Sequence, residues 1–265
     1  MDERAGDWIN YLPADLRGQL DTTHWRAITV GRSGTRVFRV KDGYLKINLL
    51  TASHSLQAEK ERLQWLQGRL PVPQVYYYGR DAAHEYLLLS AIPGTMSCDP
   101  VFKENMPELI HLLAEALHML HAVDITNCPF DARLPHRLSA QQRALNKPRV
   151  ASQTQEQDIK ERYEQLLQMF PASEDLVFTH GDFCLPNIII DRRRARISGF
   201  IDWERGGIAD RHIDLERTCW SLSYNFDTSW IPSLLEAYGL KNIDQGKMLF
   251  YGRLEDLDYL LGLTS

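Results

Sequence analysis

Hydrophobic periodicity changes once along the chain, at Pro93-Gly94, and this change limits the fold more than any other feature. Before it, apolar residues come in short runs that read as strands, at 37–40, 44–47, 72–78 and 86–92. Lys41-Asp42-Gly43 joins the first two runs, and Asp-Gly is favoured where both central residues of a tight turn need positive φ, so these runs predict a hairpin. One helix interrupts the strands at 55–68, with Ser53 or Ser55 as its cap and Pro71 beyond its end. After Pro93-Gly94 the period becomes helical. Leu109, Leu112, Leu113, Ala116, Leu117 and Leu120 repeat at helical spacing and form one apolar face. Residues 158–170 read as a second helix, with Tyr163, Leu166, Leu167 and Phe170 on its apolar side. Residues 140–157 are polar and read as a mobile insertion. Short strands return at 176–179, 188–190 and 197–201, and the chain reads as helical from about Ala209. The expected class is α+β and bilobal. A small antiparallel β-sheet lobe covers 1–92, with a hinge at 90–94, and a larger, mostly helical lobe covers 93–265.

Composition excludes several alternatives. The 265 residues are 44% hydrophobic and 25% charged, as in ordinary globular domains. No apolar run approaches the ~20 residues of a membrane helix. The charged first residues have no apolar stretch behind them, so no secretory signal is expected. A net charge of -5 argues against a nucleic-acid partner. Cys98, Cys128, Cys184 and Cys219 lack zinc or disulfide-framework spacing and lie in or beside apolar runs, which fits reduced thiols in a cytoplasmic protein. No obligate protein partner is evident.

Polar residues among apolar strands are densest from His180 to Asn187, just before Ile188-Ile189-Ile190. Asp182 and Asn187 are five apart across a loop, and Asp202 follows the run at 197–201. If 188–190 and 197–201 pair as a hairpin, Asn187 and Asp202 meet at one end of it. Amide and carboxylate oxygens with room for waters and phosphates suit Mg²⁺, and an aspartate five residues earlier can take a proton from a hydroxyl nucleophile. Protein kinases use this arrangement for phosphoryl transfer. Such chemistry also needs a lysine. Lys46 lies in a strand, and Glu59 lies on the buried seam of the 55–68 helix, where a carboxylate requires a positive partner. Glu61 faces away. The Gly31-Arg32-Ser33-Gly34-Thr35 loop precedes this hairpin, where its backbone and the Ser33 hydroxyl can cover phosphates. His111, His118 and His121 read as solvated, and Arg192-Arg193-Arg194 as a polar hairpin tip. Asp214 is expected to accept hydrogen bonds from the catalytic-loop backbone. Core packing is the default for Trp203, Trp220 and Trp230.

Residues 177–187 and 199–211, together with 65–73, 91–94 and 127–130, resemble the aminoglycoside O-phosphotransferases. Likeness is greatest to the 3′ enzymes, the kanamycin kinases, with the streptomycin 3″ enzymes next. The similarity runs from about Trp25 to Asp258. It implies a protein-kinase-like fold using ATP, or GTP, with Mg²⁺. It also implies roles by matching position. Asp182 corresponds to the catalytic base, Asn187 and Asp202 to the metal ligands, Lys46 to the phosphate lysine and Glu59 to its partner. Tyr44 matches an adenine-stacking aromatic, Ser90, Ala91 and Ile92 the hinge backbone, and Ser33 the phosphate-loop serine. On the acceptor side the resemblance implies Asp182, Arg205, Glu255 and Asp256, with a cationic aminoglycoside as the small-molecule partner. Two departures bear on the drug. The chain continues past Asp256 to Ser265, and 147–157 lacks a dense acidic cluster. Streptomycin phosphorylation, a metabolic small-molecule kinase and a non-catalytic binding protein are the alternatives.

Overall fold

The computed structural model describes residues 8–9, 12–21, 25–28, 34–52, 55–147, 153–240 and 242–263. After a short helix, α1 (Ala14–Arg17), come β1 (Arg26–Ile28), β2 (Arg36–Val40), β3 (Gly43–Leu49), β4 (Val75–Arg80) and β5 (His84–Ser90). They form one antiparallel sheet in the order β1-β2-β3-β5-β4. Helix α2 (Leu56–Leu66) lies between β3 and β4, and the Ser55 side chain accepts from the Gln57 amide to cap it. Ser53 lies outside the described residues. Strand alternation divides the sheet's side chains. Phe38, Val40, Leu45, Ile47, Tyr86 and Leu88 pack with Leu12 and Leu16 on one face. Leu87 and Leu89 meet Leu56, Leu63 and Leu66 of α2 on the other.

The helical lobe contains β6 (Thr95–Met96), α3 (Met106–His121), α4 (Leu134–Leu145), α5 (Gln153–Gln168) and β7 (Leu176–Thr179). It continues through β8 (Ile188–Asp191), β9 (Arg196–Phe200), β10 (Gly207–Asp210), α6 (His212–Asn225), α7 (Ile231–Ala237) and α8 (Gln245–Leu260). Strands order as β6-β8-β9 and β10-β7. The leucine seam of α3 is buried, and one apolar core runs from α2 and β5 into α3, β7, β8 and α6, across the expected lobe border. Backbone ties reinforce it: the Phe200 amide donates to the Pro71 carbonyl at 2.9 Å. A Cβ at Gly199 would lie 2.5 Å from that same oxygen, so glycine permits the approach.

Several expectations change. The hairpin at 36–49 exists, but neither Asp42 nor Gly43 has positive φ. Gly43 begins β3, where a Cβ would lie 1.9 Å from the Leu89 carbonyl oxygen, so close strand approach explains this glycine. Strand β4 starts at Val75, after Pro73, which has no N–H for a ladder. Within the segment read as a mobile insertion at 140–157, the described residues are mostly helical: they end α4 and begin α5. Its polarity is partly internal, because buried Gln141 donates to the Leu254 carbonyl and to Asp258. On α5, Leu166 is buried with Ile159 while Leu167 is exposed, and Phe170, also exposed, lies beyond the helix end at Gln168. Residues 207–210, read as running into a helix, form a strand because β7 supplies their hydrogen-bond partners. Among the described residues no helix is long and apolar enough to cross a membrane. All four cysteines are free, and only Cys219 is fully buried.

Candidate active site

The loop after β7 is held from below by one face of α6. Asp214, Thr218 and Ser221 lie at i, i+4 and i+7, and all three are buried. The Asp214 carboxylate accepts from the His180 and Gly181 amides at 3.0 and 2.9 Å. Thr218 donates to the Phe183 carbonyl, and Ser221 accepts from the Leu185 amide. Gly181 has φ +80°, and a Cβ there would lie 2.9 Å from the Arg205 carbonyl oxygen, so only glycine fits the turn. The expected role of Asp214 matches this geometry. Reading His121 as solvated does not: its ring lies between Asp214, at 3.3 Å, and the Tyr238 hydroxyl, at 2.7 Å. His118 remains exposed and stacks on Tyr238. The arginine tip is polar as expected, with Arg194 and Arg196 facing Asp191. Trp203 is core, whereas Trp220 is exposed.

This clamp leaves the Asp182 side chain one-third exposed. Asn187 Nδ2 donates to the Asp182 carbonyl at 2.9 Å and reaches its Oδ2 at 3.3 Å. Asn187 Nδ2 is therefore used, and Oδ1 is the atom left to bind a cation. Strands β8 and β9 pair as the sequence suggests, and the Ile201 amide donates to the Asn187 carbonyl. Asp202 is thereby brought beside Asn187, with φ 64°, an uncommon left-handed backbone for a non-glycine residue.

Lys46 Nζ donates to both oxygens of Glu59, at 2.7 and 2.8 Å, and to Asp202 Oδ1. Burial opposes its charge, but Asp202 and Glu59 outweigh that and hold Lys46 protonated far above its ordinary range. Burial raises Asp202 in turn, but Lys46 wins and keeps it below the usual carboxylate value. Hard oxygen donors at Asn187 and Asp202 fit Mg²⁺. Among the described residues no three His, Cys, Asp or Glu side chains form a complete metal cage.

Alternation puts Tyr44 on the Lys46 face of β3, with the Arg39 guanidinium 4.8 Å above its ring. The Ser90 amide donates to Gln74 and the Ala91 amide to Asp42, both within the protein. Ser33 lies outside the described residues.

On the other side, Arg205 grips Glu255 through two bonds of 2.6 and 2.8 Å. Arg137 adds a bond of 2.9 Å to Glu255 and another to Asp258. Burial would raise Glu255, yet the arginines hold it far below the carboxylate range. The expected acceptor-side residues Arg205 and Glu255 are thus paired with each other, while Asp256 is exposed on the same helix. Sequence reading missed Arg137, Gln141, Glu216, Arg217 and Asp258. The i, i+4 spacing of Arg137 and Gln141 was an available signal, but Gln141 fell in the segment read as an insertion and Arg137 just before it.

A kinase-like pair of lobes, a clamped Asp–Asn loop and a lysine bound to two carboxylates define a phosphotransferase. Residues 24–251 match the model of the phosphotransferase enzyme family, and the chain belongs to that family. It is 34% identical to the aminoglycoside 3'-phosphotransferase of Niallia circulans, over 97% of this chain and 99% of that protein. It resembles the crystal structure of a type VIII aminoglycoside-3'-phosphotransferase, with TM-score 0.77 and 26% identity over 96% of this chain and 99% of the other. It also resembles the APH(3'') enzyme of Streptomyces rimosus in complex with ADP and streptomycin. That match has TM-score 0.73 and 25% identity, covering 97% and 98% of the two chains. The bilobal kinase-like fold and the enzyme class expected from sequence agree with these likenesses.

Proposed function

We propose that this enzyme transfers the terminal phosphoryl group of ATP, or GTP, to a hydroxyl of an aminoglycoside antibiotic, with the 3′ hydroxyl favoured, and that it confers resistance from the cytoplasm. The observation that carries this reading is Asn187, which contacts Asp182 through its side chain and the residue before Asp202 through its backbone. Asp182 accepts the proton of the acceptor hydroxyl. That oxygen bonds to phosphorus as the bond to the bridging oxygen breaks, and a nucleoside diphosphate leaves. Lys46, held by Glu59, binds the α- and β-phosphates, and Ser33 covers them. Tyr44 stacks on the base, whose edge meets the backbone of Ser90, Ala91 and Ile92. Asn187 and Asp202 would hold Mg²⁺, which neutralises charge on the transferring group. Residues 1–92 supply the nucleotide side and 93–265 the acceptor side. Asp256 meets a drug ammonium, while Glu255 orients Arg205.

The relative from Niallia circulans supports the 3′ position. A streptomycin 3″ activity is the second reading, supported by likeness to the streptomycin complex. Mass-detected transfer tests both: the purified chain with Mg-ATP is offered a kanamycin, streptomycin and choline. Transfer to a kanamycin, abolished by EDTA, is the expected result. Transfer to choline alone assigns a metabolic kinase instead.

A further inference from the structure

Helix α2 carries Glu59, which holds Lys46, and about one turn further Arg62, to which the proposed chemistry gives no task. Arg62 crosses to the helical lobe. Its Nε donates to the Gly206 carbonyl at 2.5 Å, and an Nη donates back to the Ala58 carbonyl at 3.0 Å, which fixes the side chain against its own helix. The guanidinium lies 4.7 Å from the centre of the Phe130 ring. Trp65, also on α2, meets the same ring at 86°, with centroids 6.0 Å apart. Phe130 and the 206–208 segment form one unit, because the Phe130 carbonyl accepts from the Ile208 amide at 2.8 Å. Gly206 stands four residues after Asp202 and directly after Arg205, whose side chain grips Glu255 and whose carbonyl lies against Gly181. One side chain on the Glu59 helix thus bears on the segment that carries Asp202 and Arg205.

Helix α2 has a second tie to that segment, through Glu59 to Lys46 and from Lys46 to Asp202. The two ties differ in what breaks them. Nucleotide phosphates are anions that compete with Asp202 for the Lys46 ammonium, so the Lys46 tie loosens as the ligand enters. The Arg62 bond ends on a backbone carbonyl beside Phe130 and stands clear of that exchange. We propose that Arg62 is a positioning residue for phosphoryl transfer: it keeps α2, and with it Lys46, in register with the 202–206 segment once phosphates have drawn Lys46 off Asp202. This rests on the nucleotide reading above. Without Arg62 the free enzyme still has the Lys46–Asp202 contact to hold α2. The nucleotide complex then has neither tie, and ordering α2 subtracts from the binding energy. The defect is therefore conditional on nucleotide.

Arg62→Met keeps an apolar stem on Phe130 and removes the donors. Calorimetry should show its Kd for Mg-ADP raised about ten-fold, the scale of one hydrogen bond from a charged donor, and kcat should fall as well. The rise in Tm that Mg-ADP gives should shrink in parallel. Arg62→Lys keeps a cation over Phe130 and one set of donors, and should recover part of both. A purely structural strut gives the opposite pattern, a lower Tm in the free variant with Kd and kcat like those of the wild type, and that result overturns the proposal. If Arg62→Met does not fold, the same comparison in Arg62→Lys decides. If the wild type binds neither Mg-ADP nor Mg-GDP, the nucleotide reading fails first and this inference falls with it. If wild type and variants bind Mg-ADP equally well, that reading stands and the inference alone is lost.

Discussion

At Lys46 one ammonium is held by two carboxylates, while at Glu255 one carboxylate is held by arginines from different elements. The first cluster carries an excess of negative charge once Lys46 is counted against Glu59 and Asp202. It is suited to take up a metal and the phosphates that come with it. In the second, Arg137, Arg205 and Arg217 balance Glu255, Asp258 and Asp182, so the cluster is close to neutral. A neutral, interlocked set of ions positions groups, and its long-range pull on a polycation is small. Under the aminoglycoside reading, attraction of a cationic drug would fall to carboxylates outside that set, of which Asp256 is exposed on α8.

The largest expected effect tests whether Asp182 belongs with the reacting hydroxyl. Asp182→Asn should lower kcat by roughly 10²- to 10⁴-fold, the range of a positioned general base, and leave nucleotide Kd unchanged. Equal loss of nucleotide affinity, read by calorimetry, would assign Asp182 to the Lys46 cluster. The next effect concerns stability. Glu255→Gln leaves arginines buried without their carboxylate and should cost about 3–5 kcal/mol in a urea melt. A melt like that of the wild type, combined with a raised KM for the drug, would make Glu255 a free acceptor carboxylate. The third is a coupling. In a cycle of Lys46→Met and Glu59→Gln, losses in kcat/KM for ATP should fall short of additive by about 0.5–3 kcal/mol. Additive losses would mean that the 2.7 Å ion pair plays no joint part in ATP use.

The same contrast explains what the sequence disclosed. Glu59 was legible because a carboxylate on an apolar helix seam needs a partner, and Lys46 lies in a strand of the neighbouring hairpin. Asn187 and Asp202 were legible because the strands that carry them are adjacent in the chain and could be paired on paper. The Glu255 cluster was not. Its members come from α4, α6 and α8 and from the loop before β10, and no local period relates them. Arg137 and Gln141 sit in a segment whose polarity resembles solvated surface, and only packing against α8 shows that the polarity faces inward. Strand β10 was missed for a similar reason, since Gly207–Asp210 has weak strand propensity and gains its ladder from β7.

The smallest effect isolates Glu216. It is held close against Gly252, where a Cβ would lie 3.2 Å from its Oε1. Burial is the main cause that raises its carboxyl from 4.5 to about 7, with Arg217 and Arg137 pulling it down and Glu255 and Asp256 adding to the rise. In the unfolded chain the group ionises near 4.5, while in the folded chain it keeps its proton until about 7. Between those values the folded state binds the extra proton. The resulting stability is fully present below about 4.5 and is lost as pH rises through about 7. Glu216→Gln cannot ionise and escapes that loss. Its Tm should match the wild type near pH 5 and exceed it by a few degrees at pH 8, as expected for about 1–2 kcal/mol in a chain of this size. The ligand sharpens the comparison. An ammonium that binds beside Glu216 favours the ionised form, so drug binding near neutral pH should release a proton in wild type and not in Glu216→Gln, read by calorimetry in buffers of different ionisation heat. A Tm difference that is flat with pH would show that the Glu216 carboxyl is solvated, and Asp256 would then be left as the carboxylate that meets the drug.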